Sequence, residues 1–392
     1  MAKLKKISFS SYKKFEDKFS VEIRPITILI GKNSSGKSSI TKLIPMLENS
    51  MSGQINVPFL FENNGVVLGS AFSDISHNGN NVDLVFGVEY DDGLDIMIEF
   101  ISKAGNQDYW IKDYAVISKG NTYNLKQKKD QSSYIDTSSD REYLPASFKG
   151  LINDEFFRNN EIAYDRSYYI ASDYIGPFRA FPQRAYCQHN VCMTSKIGID
   201  GASAYDNLSL SADLQANVST WYKKHFGCSL KLKDLDKGVY SVLLSKDGGI
   251  HDVNIADEGQ GMSQVLPIVT RCYMHDETDT IIVVEQPELH LHPASHEAVA
   301  DLLMETAKTN NHRYIVETHS KNLLLEVRNL VADKSMPFSK DDVIIYYVRE
   351  VDGNAVLDEI TIDENGNMSD WPEEVFNESY ELMKKLRRNN AN

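Results

Sequence analysis

Hydrophobic and polar positions change period several times along the chain, and each change predicts an element. Residues 4–23 alternate like two strands, and Ile26-Thr27-Ile28-Leu29-Ile30 is an apolar, β-branched run suited to a buried strand. After a glycine-containing loop, residues 39–47 carry apolar side chains at helical spacing. From Val66 to Ile117 the pattern is β-like, with 82–88 and 94–100 flanking the hairpin turn Asp91-Asp92-Gly93. Residues 126–141 are polar and rich in Ser, Asp and Lys, which predicts a mobile surface insertion. Residues 207–226 read as a helix burying Leu208, Leu210, Leu214, Val218 and Trp221, followed by a strand at 240–244. The runs 281–284 and 314–316 predict two more buried strands. Beyond them come a strand at 343–348, a turn at Asp352-Gly353 and a helix. Strands alternating with helices give an α/β class, divided at 1–80, 81–170, 171–275 and 276–392. Neither a sustained heptad nor a tandem repeat interrupts this order, so long coiled-coil arms are not expected.

The loop between the first buried strand and its helix carries the chemistry. Gly31-Lys32-Asn33-Ser34-Ser35-Gly36-Lys37-Ser38 completes the pattern G-x-x-x-x-G-K-[ST] in a strand–loop–helix context. Gly31 and Gly36 let backbone N–H groups turn towards phosphates at the positive end of the helix, which continues into Ser39. Lys37 is expected on the β- and γ-phosphates and the Ser38 hydroxyl on Mg²⁺, making ATP and Mg²⁺ the expected ligands. The run 281–284 ends in Glu285-Gln286-Pro287-Glu288, so Glu285 is delivered to a strand's C-terminal edge, where it can orient Mg²⁺ or its water shell. The strand at 314–316 ends in Glu317-Thr318-His319-Ser320, which places His319 to meet a γ-phosphate. Between these elements, Gly259-Gln260-Gly261-Met262-Ser263-Gln264 leads an apolar helix, a second anion-seeking helix start with Gly259, Gly261 and Ser263 as candidate contacts. Two such elements far apart in sequence suggest that one completes a site on a second subunit. His290 and His292 lack the partners a metal site needs.

Composition narrows the class. The chain has 392 residues, 42% hydrophobic and 25% charged, room for two or three structural units around sizeable cores. Its apolar runs fall far short of the roughly 20 residues of a membrane span, and no signal region opens the chain, so no membrane partner is expected. Cys187, Cys192, Cys228 and Cys272 follow neither a metal nor a disulfide spacing, and the expected compartment is a reducing cytoplasm. A net charge of −15 argues against a protein that coats nucleic acid over its whole surface. The short basic clusters at 3–6, 126–129 and 384–388 leave a local DNA groove open. Arg179 and Arg184, around an aromatic, proline-containing turn, are either phosphate or DNA contacts or ion-paired surface residues.

The order of phosphate loop, glycine-led signature, strand-end acid and strand-end histidine resembles ABC-type ATPases. The wording Glu285-Gln286-Pro287-Glu288-Leu289-His290-Leu291-His292-Pro293 and Glu317-Thr318-His319-Ser320 is similar to the RecF/OLD-like branch of prokaryotic ATPases. Leu68-Gly69-Ser70 with Asp74, and Tyr174-Ile175-Gly176-Pro177-Phe178-Arg179, add to the likeness, and residues 371–378 resemble the tail of a stand-alone subgroup. The resemblance implies an ABC-type P-loop head with an antiparallel β subdomain and a helical signature subdomain. It also implies a homodimer sandwiching ATP, acting in anti-phage defence beside a separately encoded nuclease or toxin or, alternatively, as a DNA-binding repair clamp. Two positions depart from the pattern. Gln286 stands where such enzymes place a catalytic Glu, so hydrolysis is expected to be slow unless Glu288 substitutes, and Ser263 is displaced from the usual signature serine. The chain after His319 shows no nuclease constellation, so no second cleavage domain is expected there.

Overall fold

A computed structural model describes residues 2–79, 83–102, 109–188, 192–246 and 251–372. The centre is a six-stranded sheet in the order Ala171–Ile175, Thr280–Glu285, His312–Glu317, Ile26–Gly31, Val343–Val351, Asn354–Ile360. The first five strands run parallel, and the last returns antiparallel from the turn at Asp352-Gly353. Alternation along each strand divides its side chains between two cores. Leu29, Ile281, Val283, Ile315 and Ile344 face one core, packing with Ile40, Leu43 and Leu47 of the helix Lys37–Ser50. Ile28, Ile30, Ile282, Val284, Tyr314, Val316 and Ile345 face the other. Burial on both faces is why these strands read as continuous apolar runs, each Val or Ile adding about 1.5–3 kcal/mol.

The first core is closed by an eight-stranded antiparallel sheet in which Leu4–Ser10 and Phe19–Glu22 join the strands running from Leu84–Tyr90 to Glu142–Tyr143. The expected hairpin is present, Leu84–Tyr90 pairing with Asp95–Ser102. The stretch 126–141, expected as a mobile surface insertion, contains the strand Tyr134–Asp136, paired with Asn121–Gln127. Its polarity is internally satisfied, since the buried Asp136 carboxylate accepts from Ser138 N (2.9 Å) and Ser139 Oγ (2.7 Å), and Tyr134 OH donates to Ile111 O (2.8 Å). The second core is covered by the helices Ser203–Leu210, Ala212–Phe226, Gln260–Tyr273, His296–Thr309 and Lys321–Ala332. The single helix expected at 207–226 is two, because Ser211 leaves helical geometry (φ −134°) and its Oγ caps Leu214 N at 3.2 Å. The C-terminal helix, residues 373–378 of the tail and the basic cluster 384–388 lie outside the described residues.

Candidate functional site

The phosphate loop leaves the central strand at Gly31 and enters its helix at Lys37. Gly31 is required by space as well as conformation: at φ +152° a Cβ there would stand 2.1 Å from Val348 O on the neighbouring strand. The helix has Gly36 as its N-cap and no side-chain cap, which leaves its first N–H groups for an anion. Asn33, Ser34, Gly36, Lys37, Ser38 and Ser39 line one cavity of about 800 Å³ together with Glu285, Gln286 and Glu317. Gly31 and Lys32 contribute from behind, their carbonyls accepting from Lys37 Nζ at 3.0 and 2.8 Å. Ser35 is buried, and its Oγ has no partner.

Parallel register brings two carboxylates to this loop, because Glu285 and Glu317 are cross-strand neighbours at the ends of adjacent strands. Glu317 Oε2 accepts from Ser38 Oγ at 2.8 Å, and its Oε1 lies 3.7 Å from Lys37 Nζ. Glu285 stands one helical turn deeper, accepting from Thr41 Oγ1 at 2.8 Å and from the Tyr174 hydroxyl. Burial, with the Glu285 carboxylate beside it, pushes the Tyr174 hydroxyl far above its usual range, so it remains a donor. Burial raises Glu317 and repulsion from Glu285 raises it further, against Lys37 and Ser38. Burial also lowers Lys37, which is 2% exposed. Two buried acids and one buried lysine suit a divalent cation with phosphates, so Ser38, Glu317 and Glu285 fit Mg²⁺. Among the described residues no three His, Cys, Asp or Glu converge on a metal, so phosphate oxygens and water would complete the coordination. Glu317 is the residue that sequence reasoning passed over; its signal was its place beside Thr318-His319 at a strand end.

Gln286 lines the cavity in a left-handed backbone conformation (φ +45°), with its N–H donating to Glu317 O at 2.7 Å. Glu288 and His319 are not among the cavity's lining residues. They meet each other, Glu288 Oε1 accepting from His319 N at 2.9 Å, while Glu288 Oε2 and His319 Nε2 are buried without partners. Burial, then Lys37, pulls His319 down to about 4, leaving a neutral imidazole at pH 7. The signature loop also stays outside the cavity of its own subunit. Gly261, the second residue of the signature helix Gln260–Tyr273, lies close to the later loop, where a Cβ would meet His290 O at 2.6 Å, whereas a Cβ at Gly259, the N-cap, would meet nothing within 4 Å. Ser263, the third candidate contact of this loop, is 1% exposed, and its Oγ donates to Gln260 O at 3.0 Å. The two arginines part company. Arg184 is an exposed ion pair with Asp257, whereas Arg179 is buried against the carbonyls of Glu285 and Gln286.

A phosphate loop on a central parallel strand, acids on its neighbours, a glycine-led helix in a separate helical layer and an antiparallel sheet over the opposite face define an ABC-type P-loop ATPase head. Residues 26–326 match the family described as "AAA domain, putative AbiEii toxin, Type IV TA system", and the chain belongs to it. Residues 339–386 match a second family, described as a protein of unknown function (DUF3696). Similar solved structures include an Smc head bound to the C-winged helix domain of ScpA, with 14% identity, TM-score 0.48, and 92% of this chain and 98% of that one covered. Another is the SMC head domain from Thermotoga maritima, with 12% identity, TM-score 0.43, and 91% and 98% covered. A third is an Smc head with an extended coiled coil bound to the C-terminal domain of ScpA, derived from Pyrococcus furiosus, with 12% identity, TM-score 0.46, and 99% and 100% covered. No curated protein matches the chain. Among the described residues no helix is long and apolar enough to cross a membrane.

Proposed function

We propose that the chain is a slow, Mg²⁺-dependent ATPase acting as an ATP-dependent homodimeric switch on a separately encoded effector. The observation that carries this reading is the separation of the phosphate cavity from the signature loop of the same subunit. A second copy would supply its own Gly259–Gly261 helix start to the open side of the bound triphosphate, so ATP would bridge two chains and hydrolysis would release them. Bound Mg²⁺ would neutralise charge on the β- and γ-phosphates. Ser38 and Glu317 would hold its position, Lys37 would leave the carbonyls of Gly31 and Lys32 for phosphate, and Glu285 would orient water. Gln286 supports slow turnover, since an amide cannot take the proton of an attacking water and general-base help is worth ~10²–10⁴-fold. Glu288, with one carboxylate oxygen unpartnered, is the group left for that task. The family's description, an AAA domain and putative AbiEii toxin of a Type IV TA system, supports a toxin–antitoxin or anti-phage setting.

Turnover and ATP-dependent size of the purified chain, with Gln286→Glu and Glu288→Gln, test the reading. We expect slow wild-type turnover, a gain of at least tenfold in Gln286→Glu, and an ATP-trapped dimer in Glu288→Gln. Fast wild-type turnover together with indifference to Glu288→Gln would sink the assignment. A mass that does not respond to ATP would remove the switch. ATP-dependent duplex binding that weakens steeply with salt would replace it with the DNA clamp.

A further inference from the structure

Arg179 sits just beyond the strand Ala171–Ile175, between the cavity and the signature helix. It is 4% exposed, and burial pulls its guanidinium down to about 10, still charged at neutral pH. Its Nη2 donates to two consecutive backbone carbonyls, Glu285 O at 2.7 Å and Gln286 O at 2.9 Å. On the other side, Gln264 Nε2, one turn into the signature helix, donates to Arg179 O at 3.4 Å and Ala180 O at 3.3 Å. Phe178, the residue before it, is 87% exposed and lines the phosphate cavity. Arg179 Nε and Nη1 are buried without acceptors. A buried charge with idle donors is a poor device for stability alone, because each unmade hydrogen bond carries a desolvation cost. The grip falls where the backbone needs one: Gln286 adopts φ +45°, a conformation that persists in a non-glycine residue only when its surroundings impose it.

We infer that Arg179 is a positioning residue that locks the Glu285–Gln286 backbone in its strained geometry and ties it, through Gln264, to the signature helix. A shift of that helix then moves the strand-end groups that face the triphosphate. The inference rests on the ATPase reading of the cavity, but the grip itself is a property of the folded chain.

Hydrogen exchange on the full-length protein tests the grip, with ATP affinity and turnover measured alongside. Arg179→Met removes the grip with an apolar side chain of similar length, and Gln264→Ala cuts the same link from its other end. In both variants the amides of Gln286 and Glu288–Leu291 should exchange roughly tenfold faster than in wild type. ATP affinity should stay within about twofold while turnover falls on the order of tenfold. The double variant should be no worse than Arg179→Met, because the two act through one link. Unchanged exchange at Gln286 in a folded variant overturns the inference. So does a loss of ATP affinity that matches the loss of turnover, since that would make the guanidinium a nucleotide contact. If Arg179→Met does not fold, Gln264→Ala decides alone. A wild-type chain that neither binds nor hydrolyses ATP would overturn the proposed function instead, and the exchange result would still decide whether Arg179 holds the strand end.

Discussion

Replacing Glu317 with Gln should stabilise the protein without nucleotide and cripple it with nucleotide. The carboxylate is 5% exposed and 3.7 Å from Lys37 Nζ. At an effective dielectric constant near 20 the attraction at that distance is about 4 kcal/mol. Desolvation and repulsion from Glu285 outweigh it, because the balance raises Glu317 above the ordinary carboxylate range. A raised carboxylate contributes stability that is complete below the unfolded-state pKa and is lost as pH rises through the folded one. Wild type and Glu317→Gln should therefore melt alike in acid and diverge as pH rises, the variant being the more stable at pH 7.5 without Mg²⁺ or ATP. Mg·ATP reverses the order. At a hundredfold excess over Kd a ligand adds about 2.7 kcal/mol to the folded state. The variant, lacking the carboxylate that holds Ser38 Oγ at 2.8 Å, should lose most of that gain and on the order of 10²-fold in Mg²⁺-dependent turnover. Thermal melts at pH 5 and 7.5, with and without Mg·ATP, give both signs in one experiment. A Glu317→Gln protein less stable than wild type at pH 7.5 without ligand, yet keeping the full Mg·ATP shift, would refute the reasoning.

Three further outcomes can be measured with the same preparations. His319, lowered to about 4 by burial and then by Lys37, contributes stability that is complete above the unfolded value near 6.5 and lost as pH falls from there towards 4. His319→Gln should flatten the melting profile over that window and leave it unchanged above pH 7; an unaltered acid limb would remove the buried, neutral histidine. Gly31→Ala places a methyl group 2.1 Å from Val348 O at φ +152°. Strain of about 1–3 kcal/mol from the backbone and a similar amount from overpacking should appear as a clear drop in melting temperature and loss of ATP binding, and a wild-type melt would contradict the close approach. Gln286→Glu adds a third carboxylate beside Glu285 and Glu317, where repulsion from Glu285 already raises Glu317 against Lys37, so even if its turnover rises it should melt below wild type without Mg²⁺ and recover with Mg·ATP. Equal melts with and without the cation would show that the three acids do not share one field.

What the sequence disclosed and what it concealed follow the same physical division. The phosphate loop was legible because its function lies in contiguous residues: Gly31, Gly36, Lys37 and Ser38 carry their geometry in their own φ angles and spacing. The buried strands were legible because both faces of 26–31 and 280–285 are apolar, whichever strands become their neighbours. The helix break at Ser211 and the strand at 134–136 were not, because a capping hydroxyl and a satisfied Asp136 look in sequence like ordinary polar residues. Glu317 was concealed for a deeper reason. Its neighbour His319 carries the recognisable wording, but its own position depends on sheet order, which sets His312–Glu317 between Thr280–Glu285 and Ile26–Gly31. Only that order pairs Glu317 with Glu285 on one side and with Leu29, two residues before the loop, on the other. Arg179 is hidden in the same way, since its partners are main-chain carbonyls more than a hundred residues away, and any residue could have supplied them. A cationic side chain whose hydrogen bonds go to main-chain carbonyls leaves no complementary residue type in the sequence to betray it. Such a contact becomes visible only through the conformation it enforces, here the left-handed turn at Gln286. In this fold the groups proposed to meet nucleotide can therefore be read from motifs, whereas the groups that hold those motifs in place can be read only from the sheet order and the backbone.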